Sequence, residues 1–412
     1  MAYATVFAGL MLLWPMLAAL GTLGFAPLIG ITGIAALILA RPLWPLRPYV
    51  IFGLLFILWA AISEIWSPTA STLMTGSLIK GNFAIGTRSV IIVLTSLFAM
   101  LTLAGAVRTQ LTRRGAVFLY AAFGLQALTI LIAAGFYEPL LEAIYGDDPQ
   151  NAVNGIQNIG RNINIFALVL PLLAGLLICR AGRAGLAGAA VLILGYVAAA
   201  LVTDNQAAIL AVAGFLGAWA LVHFLPRTGL RWLVGGVGGY IVAAPFLISG
   251  LVRASPLFAS YLPGSFRSRL WSWEVVIAKI GERPLTGHGL MATRSWRETF
   301  SQYPDWLAQL PDFWARYPVV PGHPHNMPLQ IWAETGAIGA LLAAAALIAL
   351  AFRLPAPGEM RPEFRLAAAG LVGAGVMIFS FSYSVWAEGF WAGTALIIAS
   401  LILLARQERR AE

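Results

Sequence analysis

Twelve apolar stretches constrain this chain more than any other feature of its sequence, because each is long enough, or nearly so, to cross a lipid bilayer. They fall near residues 4–22, 24–40, 48–64, 88–106, 115–135, 162–179, 184–202, 205–224, 231–250, 326–352, 364–383 and 388–405. A helix rises about 1.5 Å per residue, so roughly 20 apolar residues traverse a hydrocarbon core of about 30 Å. Lipid offers the backbone no water, and a helix satisfies its N–H and C=O groups within its own segment. The sequence therefore predicts an all-α, polytopic integral membrane bundle of about twelve transmembrane helices. The first stretch lacks a preceding basic region and a convincing cleavage site, so it reads as an uncleaved span rather than a signal peptide.

Of the 412 residues, 60% are hydrophobic and only 10% charged, far from the quarter or so charged in soluble domains, which excludes that class. A net charge of +9 would suggest nucleic acid in a soluble protein. Here the arginines sit in short loops between spans and act as topology determinants, so no nucleic-acid partner is expected. Arg108, Arg113, Arg180, Arg183, Arg227, Arg353, Arg361 and Arg406 all fall on one side, whereas the short loops of the other side carry Lys80, Arg88 and Arg161. The positive-inside rule then predicts a multi-pass protein with both termini cytoplasmic. One cysteine, Cys179, excludes an intramolecular disulfide, and with four histidines it makes a thiolate metal site implausible.

The chain divides by hydropathy into nine spans over 1–250, an outer loop over 251–325, and three spans over 326–412. A second outer loop is expected over about 136–161, with Asn154, Gln157, Asn158 and Arg161 able to bond sugar hydroxyls or simply to be solvated. Within 251–325, Trp273, Val276, Ile277 and Ile280 recur at helical spacing, which predicts an amphipathic helix on the outer membrane surface. Pro284-Leu285-Thr286-Gly287-His288-Gly289 then breaks it with a glycine turn. Tyr303, Trp306, Phe313 and Trp314 farther along read as interfacial anchors or sugar-stacking rings.

The loop ends in Gly322-His323-Pro324-His325-Asn326 at the mouth of the tenth span, which runs on to Gly336-x-x-Gly339. A histidine there can exchange a proton near neutral pH, beside helix N–H groups that favour an anion. Asn326, Gln330 and Glu334 stand at i, i+4 and i+8, so Glu334 is either a functional carboxylate or one member of a polar stripe facing the bundle interior. The ordered set Arg269-x-x-x-Trp273, Pro284-Leu-x-Gly-x-Gly289 and His325-Asn326-x9-Gly336-x-x-Gly339 resembles the O-antigen ligase family, which shares its domain with O-antigen polymerases. The resemblance covers about 263–340 with specific motifs.

That resemblance implies a glycosyltransferase of the bacterial inner membrane. It would move a glycan from polyprenyl (undecaprenyl) diphosphate to a lipid A–core or other glycan acceptor on the periplasmic face, using no metal and no cofactor. His325 would be the general base and Arg269 and Arg267 the diphosphate ligands. Arg88 and Arg161, at the outer starts of spans, would complete the cradle, with Asn326, Glu334 and Trp273 in support. His323 and His288 do not stand at the matched position, so loss of His323 is expected to spare most activity. The readings kept beside it are an O-antigen or exopolysaccharide polymerase, a protein O-oligosaccharyltransferase and a polysaccharide transporter, the last predicting an internal hydropathy repeat and charge at mid-membrane. One departure stands out: relatives often carry arginine before the span at 205–224, where this chain reads Thr203-Asp204-Asn205-Gln206.

Overall fold

The computed structural model describes residues 2–42, 47–69, 74–75, 84–85, 88–146, 149–300 and 315–407. Lys80 and the rings of Tyr303, Trp306, Phe313 and Trp314 lie outside the described residues. The described helices are α1 (Ala2–Ala19, with one 3-10 turn), α2 (Phe25–Leu39), α3 (Pro48–Ser63), α4 (Arg88–Arg108), α5 (Arg113–Tyr145), α6 (Pro149–Arg180) and α7 (Gly182–Val202). They continue with α8 (Gln206–Phe224), α9 (Gly229–Ala254), α10 (Gly264–Glu282), α11 (Met327–Ala351), α12 (Pro362–Phe381) and α13 (Glu388–Ala405). Met74–Thr75 and Ala84–Ile85 pair as a minimal antiparallel ribbon. Eleven of the helical stretches are long and apolar enough to span a membrane, and α2, at 15 residues, is shorter. The protein is an all-α polytopic membrane bundle.

The expected outer loop over 136–161 is instead mostly helix, because α5 and α6 run on past the apolar stretches. α5 kinks at Phe136, just before Pro139, whose ring cannot follow a straight helix.

The three C-terminal spans do not form a layer of their own. α11 packs between α3 and α9, α12 against α6 and α8, and α13 against α4. The largest core joins α1, α2, α5 and α6 to α12 and α13. There Trp14 stacks on Phe25 at 4.2 Å between ring centroids and donates through Nε1 to Gln126 Oε1 at 2.7 Å, and Gln126 donates to Asn162 Oδ1 at 2.9 Å. Trp14, Gln126 and Asn162 thus satisfy one another inside an apolar setting, where bare polar groups are costly.

α10 is the predicted amphipathic helix, but protein covers its apolar face. Leu270, Trp273, Val276 and Ile280 are buried with Ala244, Ile248 and Val252 of α9 and Leu329 and Ala333 of α11. A face of that width finds more complete packing against two helices than it would at a lipid surface.

Two of the glycine motifs lock together. α11 breaks at Gly336, where φ is +66°. The turn after α10 enters the gap: His288 N–H and Gly289 N–H donate to the Ala333 and Glu334 carbonyls at 2.9 Å each, and Ala337 N–H donates to the Pro284 carbonyl at 2.8 Å. A Cβ on Gly336 would lie 2.2 Å from the Leu285 oxygen, and one on Gly287 2.4 Å from the Glu334 carbonyl carbon. Both positions demand glycine for space as well as for φ. The broken helix is tolerated at this depth because another segment of the chain satisfies the freed backbone.

Candidate functional site

Glu334 holds the ground beneath the site. It is fully buried, and four donors converge on it: Thr293 Oγ1 at 2.6 Å, Met291 N–H at 2.7 Å, Gln330 Nε2 at 3.1 Å and Trp386 Nε1. The carboxylate joins the segment after Gly289, α11 and the turn between α12 and α13. Gln330 continues the tie by donating to Ser384 Oγ at 3.0 Å and accepting from Val385 N–H at 3.0 Å. Of the two readings left open for Glu334, this geometry supports the structural one. Glu334→Ala is expected to leave several buried donors without a partner, each worth about 1–3 kcal/mol, and so to lower the midpoint of thermal unfolding in detergent markedly. An inactive Glu334→Ala that melts with the wild type would instead give Glu334 a chemical role.

Above this base, Asn326 caps α11: its Oδ1 accepts from Leu329 N–H at 3.0 Å, and its Nδ2 donates to the Tyr240 hydroxyl at 3.2 Å. Pro328 in the first turn suits a helix start. His325 just before the cap has φ +49°, a left-handed conformation that costs a residue with a Cβ about 1–3 kcal/mol. Its ring is fixed by the turn after α12, because Nδ1 lies 2.7 Å from the Ser382 carbonyl oxygen. A carbonyl can only accept, so Nδ1 carries the proton and Nε2 keeps its lone pair for other work. Ser382 is itself held by Asn164, which donates to its Oγ at 3.2 Å.

Two recesses meet at this imidazole. One, of about 190 Å³, is lined by Thr203, Asp204, Asn205, Gln206, Ser265, Arg269, Phe381, Ser382 and His325. The other, of about 250 Å³, is lined by Ser265, Ser268, Arg269, Ser272, Phe300, Tyr317, Val319 and His325. Ser265, Arg269 and Ser272 stand at i, i+4 and i+7 on α10, which puts them on one helical face and explains why a single helix borders both recesses.

Arg269 lies under the Phe266 ring, 5.3 Å from its centroid, and its Nη1 is buried with no hydrogen-bond partner among the described residues. No carboxylate of those residues comes within ion-pair distance of it. Burial pushes its pKa down to about 10, with Asp204 pulling the other way, so it remains a cation at neutral pH. It is the one guanidinium among the described lining residues of either recess. Gln206, at the position of the departure, accepts from Ser265 Oγ at 2.7 Å and donates to Asp204 Oδ1 at 3.4 Å. Asp204 has φ +49° and precedes Asn205, whose Oδ1 caps α8 and whose Nδ2 reaches the Gly160 carbonyl.

The structure brings Arg269, His325 and Asn326 together, with Trp273 donating to the Pro324 carbonyl at 2.8 Å. The other expected arginines stand apart. Arg88 makes a bidentate pair with Glu388 at 3.1–3.2 Å, and its own backbone N–H donates to Glu64. Arg161 bonds Asn158 and Gln157 one turn earlier on α6, and Arg267 lines neither recess, lying about 200° around α10 from Arg269. His288 donates from Nε2 to the Lys279 carbonyl at 2.8 Å and belongs to the turn that fills the break in α11. Ser382 escaped the sequence reading because its part is played by a backbone carbonyl, which leaves no side-chain signal. The serines of α10 carried a signal, their helical spacing with Arg269.

An all-α membrane bundle in which a buried cation with no ion-pair partner among the described residues borders the same recesses as a tautomer-fixed imidazole is suited to chemistry on an anionic, membrane-held substrate. Residues 188–344 match the family model described as O-antigen ligase, so that part of the chain carries this domain. The match takes in the lining residues of α8, α10 and the α11 mouth and stops short of Ser382. No curated protein matches the chain.

Proposed function

We propose that the protein transfers a glycan from a polyprenyl diphosphate, undecaprenyl diphosphate in a bacterial inner membrane, to a hydroxyl of lipid A–core. One observation carries the reading: a guanidinium whose buried Nη1 has no hydrogen-bond partner among the described residues borders the same recess as an imidazole whose Nδ1 is committed to a carbonyl. A buried cation left unpaired is costly, and an incoming diphosphate would supply the missing charge and acceptors.

The acceptor oxygen attacks the anomeric carbon while His325 Nε2 takes its proton. The bond between that carbon and the diphosphate oxygen breaks on the opposite face, which inverts the centre, and Arg269 stabilises the charge that gathers on the leaving group. The leaving group is already activated, so the reaction calls for no metal or cofactor. Arg88 is better assigned to holding α4 against α13, and Arg161 and Arg267 line neither recess. The arginine-rich loops lie at the opposite ends of the spans from His325, and by the positive-inside rule this supports a periplasmic site with both termini in the cytoplasm.

In cells lacking the protein, lipopolysaccharide is expected to lose every long chain from its core while lipid-linked polymer accumulates, read as banding on a gel. Core carrying a single repeat unit would make the protein a polymerase, and an unaltered pattern with no lipid-linked product would remove the lipopolysaccharide reading.

A further inference from the structure

The peptide unit that enters His325 is held at both ends. Its carbonyl, on Pro324, accepts from Trp273 Nε1 at 2.8 Å. Its N–H, on His325, points to Nδ1 of His323 at 3.2 Å. The two imidazoles lie edge to face with centroids 4.3 Å apart. Pro324 between them has no N–H to compete for that acceptor and restricts the backbone of His323 before it. Because a backbone N–H can only donate, His323 Nδ1 must be unprotonated, and its proton resides on Nε2. Burial, with the charges of His325, Arg294 and Arg269, drives the His323 pKa down to about 3, so the acceptor persists throughout the working range of pH.

We propose that His323 is a positioning residue: by accepting the His325 N–H it holds that residue in the left-handed conformation from which the ring reaches both the Ser382 carbonyl and the recess. This rests on the reading of His325 as the base. Without that bond the N–H is left unpaired in a largely buried site, and the chain can relax to negative φ, which swings the imidazole off the Ser382 carbonyl and releases the choice of tautomer. The expectation from sequence, that His323 is dispensable, is replaced by a dependence confined to turnover. Arg269 holds its place on α10 independently, so donor binding is unaffected.

The test uses the purified full-length chain with lipid-linked oligosaccharide as donor and lipid A–core as acceptor. His323→Ala is expected to lower kcat by roughly 10- to 100-fold with little change in KM for the donor, the scale of a misplaced catalytic group. His323→Asn, whose Oδ1 sits where Nδ1 does, is expected to recover most of the loss and the wild-type pH profile. His323→Gln, whose oxygen lies one carbon farther out, should stay near the alanine value. Thermal unfolding in detergent checks that all three variants are folded. An Asn variant no better than Ala overturns the proposal, as does a rise in donor KM at unchanged kcat. Full activity of His323→Ala while His325→Ala is dead overturns it alone, whereas full activity of His325→Ala overturns the assignment of the base on which it rests.

Discussion

His325→Ala is expected to cut glycan transfer by about 10²–10⁴-fold in a purified assay, the usual loss on removing a general base. Donor binding should survive, because Arg269 is untouched, so the fall should appear in kcat. The pH dependence is the sharper part of the expectation. An unperturbed imidazole titrates near 6.5. Burial foremost, and then the Arg269 charge, push the His325 pKa down to about 4, with the bond to Ser382 pulling it up. The base works in its neutral form, so a lowered pKa leaves it fully competent above that value and lost only as pH falls through it. The profile of kcat/KM, which reports the free enzyme, should therefore be flat from about pH 6 to 8 with respect to this group. A bound diphosphate offsets Arg269 and favours the imidazolium, so the acid limb of kcat should lie above that of kcat/KM. A limb in kcat/KM near 6.5 that disappears in a residual-activity variant of His325 would show an imidazole outside the environment described here.

Arg269→Ala should lower kcat/KM by about 10²–10³-fold, the range seen when one donor to a developing oxyanion is removed, with KM for the lipid-linked donor rising as well. Arg269→Lys is expected to restore part of the loss, since an ammonium keeps the charge but cannot present paired planar donors to phosphate oxygens. Arg269 also depresses the His325 pKa, so the acid limb of kcat/KM should move upward in the alanine variant. Steady-state kinetics across pH on the two variants measures both effects. Wild-type kinetics of Arg269→Ala at equal protein level would remove the diphosphate from this recess.

Much of the architecture could be read along the chain. Apolar runs placed the spans, and the 3.6-residue recurrence of Trp273, Val276 and Ile280 placed α10. The motif residues around 269, 284–289 and 325–339 were visible because each depends on spacings of a few residues. What covers the apolar face of α10 was not visible, since lipid and protein present the same sequence requirement. Equally hidden was the difference between Arg88 and Arg269: one meets a glutamate 300 residues away, and the other meets no carboxylate at ion-pair distance among the described residues.

By itself, then, the sequence determined the all-α bundle, the approximate limits of its spans and the short motifs, because hydropathy over about 20 residues and helical periodicity are local quantities. The packing of the helices, by contrast, settled which arginine lacks an ion-pair partner among the described residues, which imidazole nitrogen of His325 meets the Ser382 carbonyl and how the two glycine motifs interlock. Those outcomes rest on hydrogen bonds between residues far apart in the chain, such as His325 with Ser382, 57 positions on, and Gln206 with Ser265, 59 positions on. Pairing of that kind is set by which helices pack side by side, and in an apolar bundle a buried polar group must take whatever partner that packing supplies.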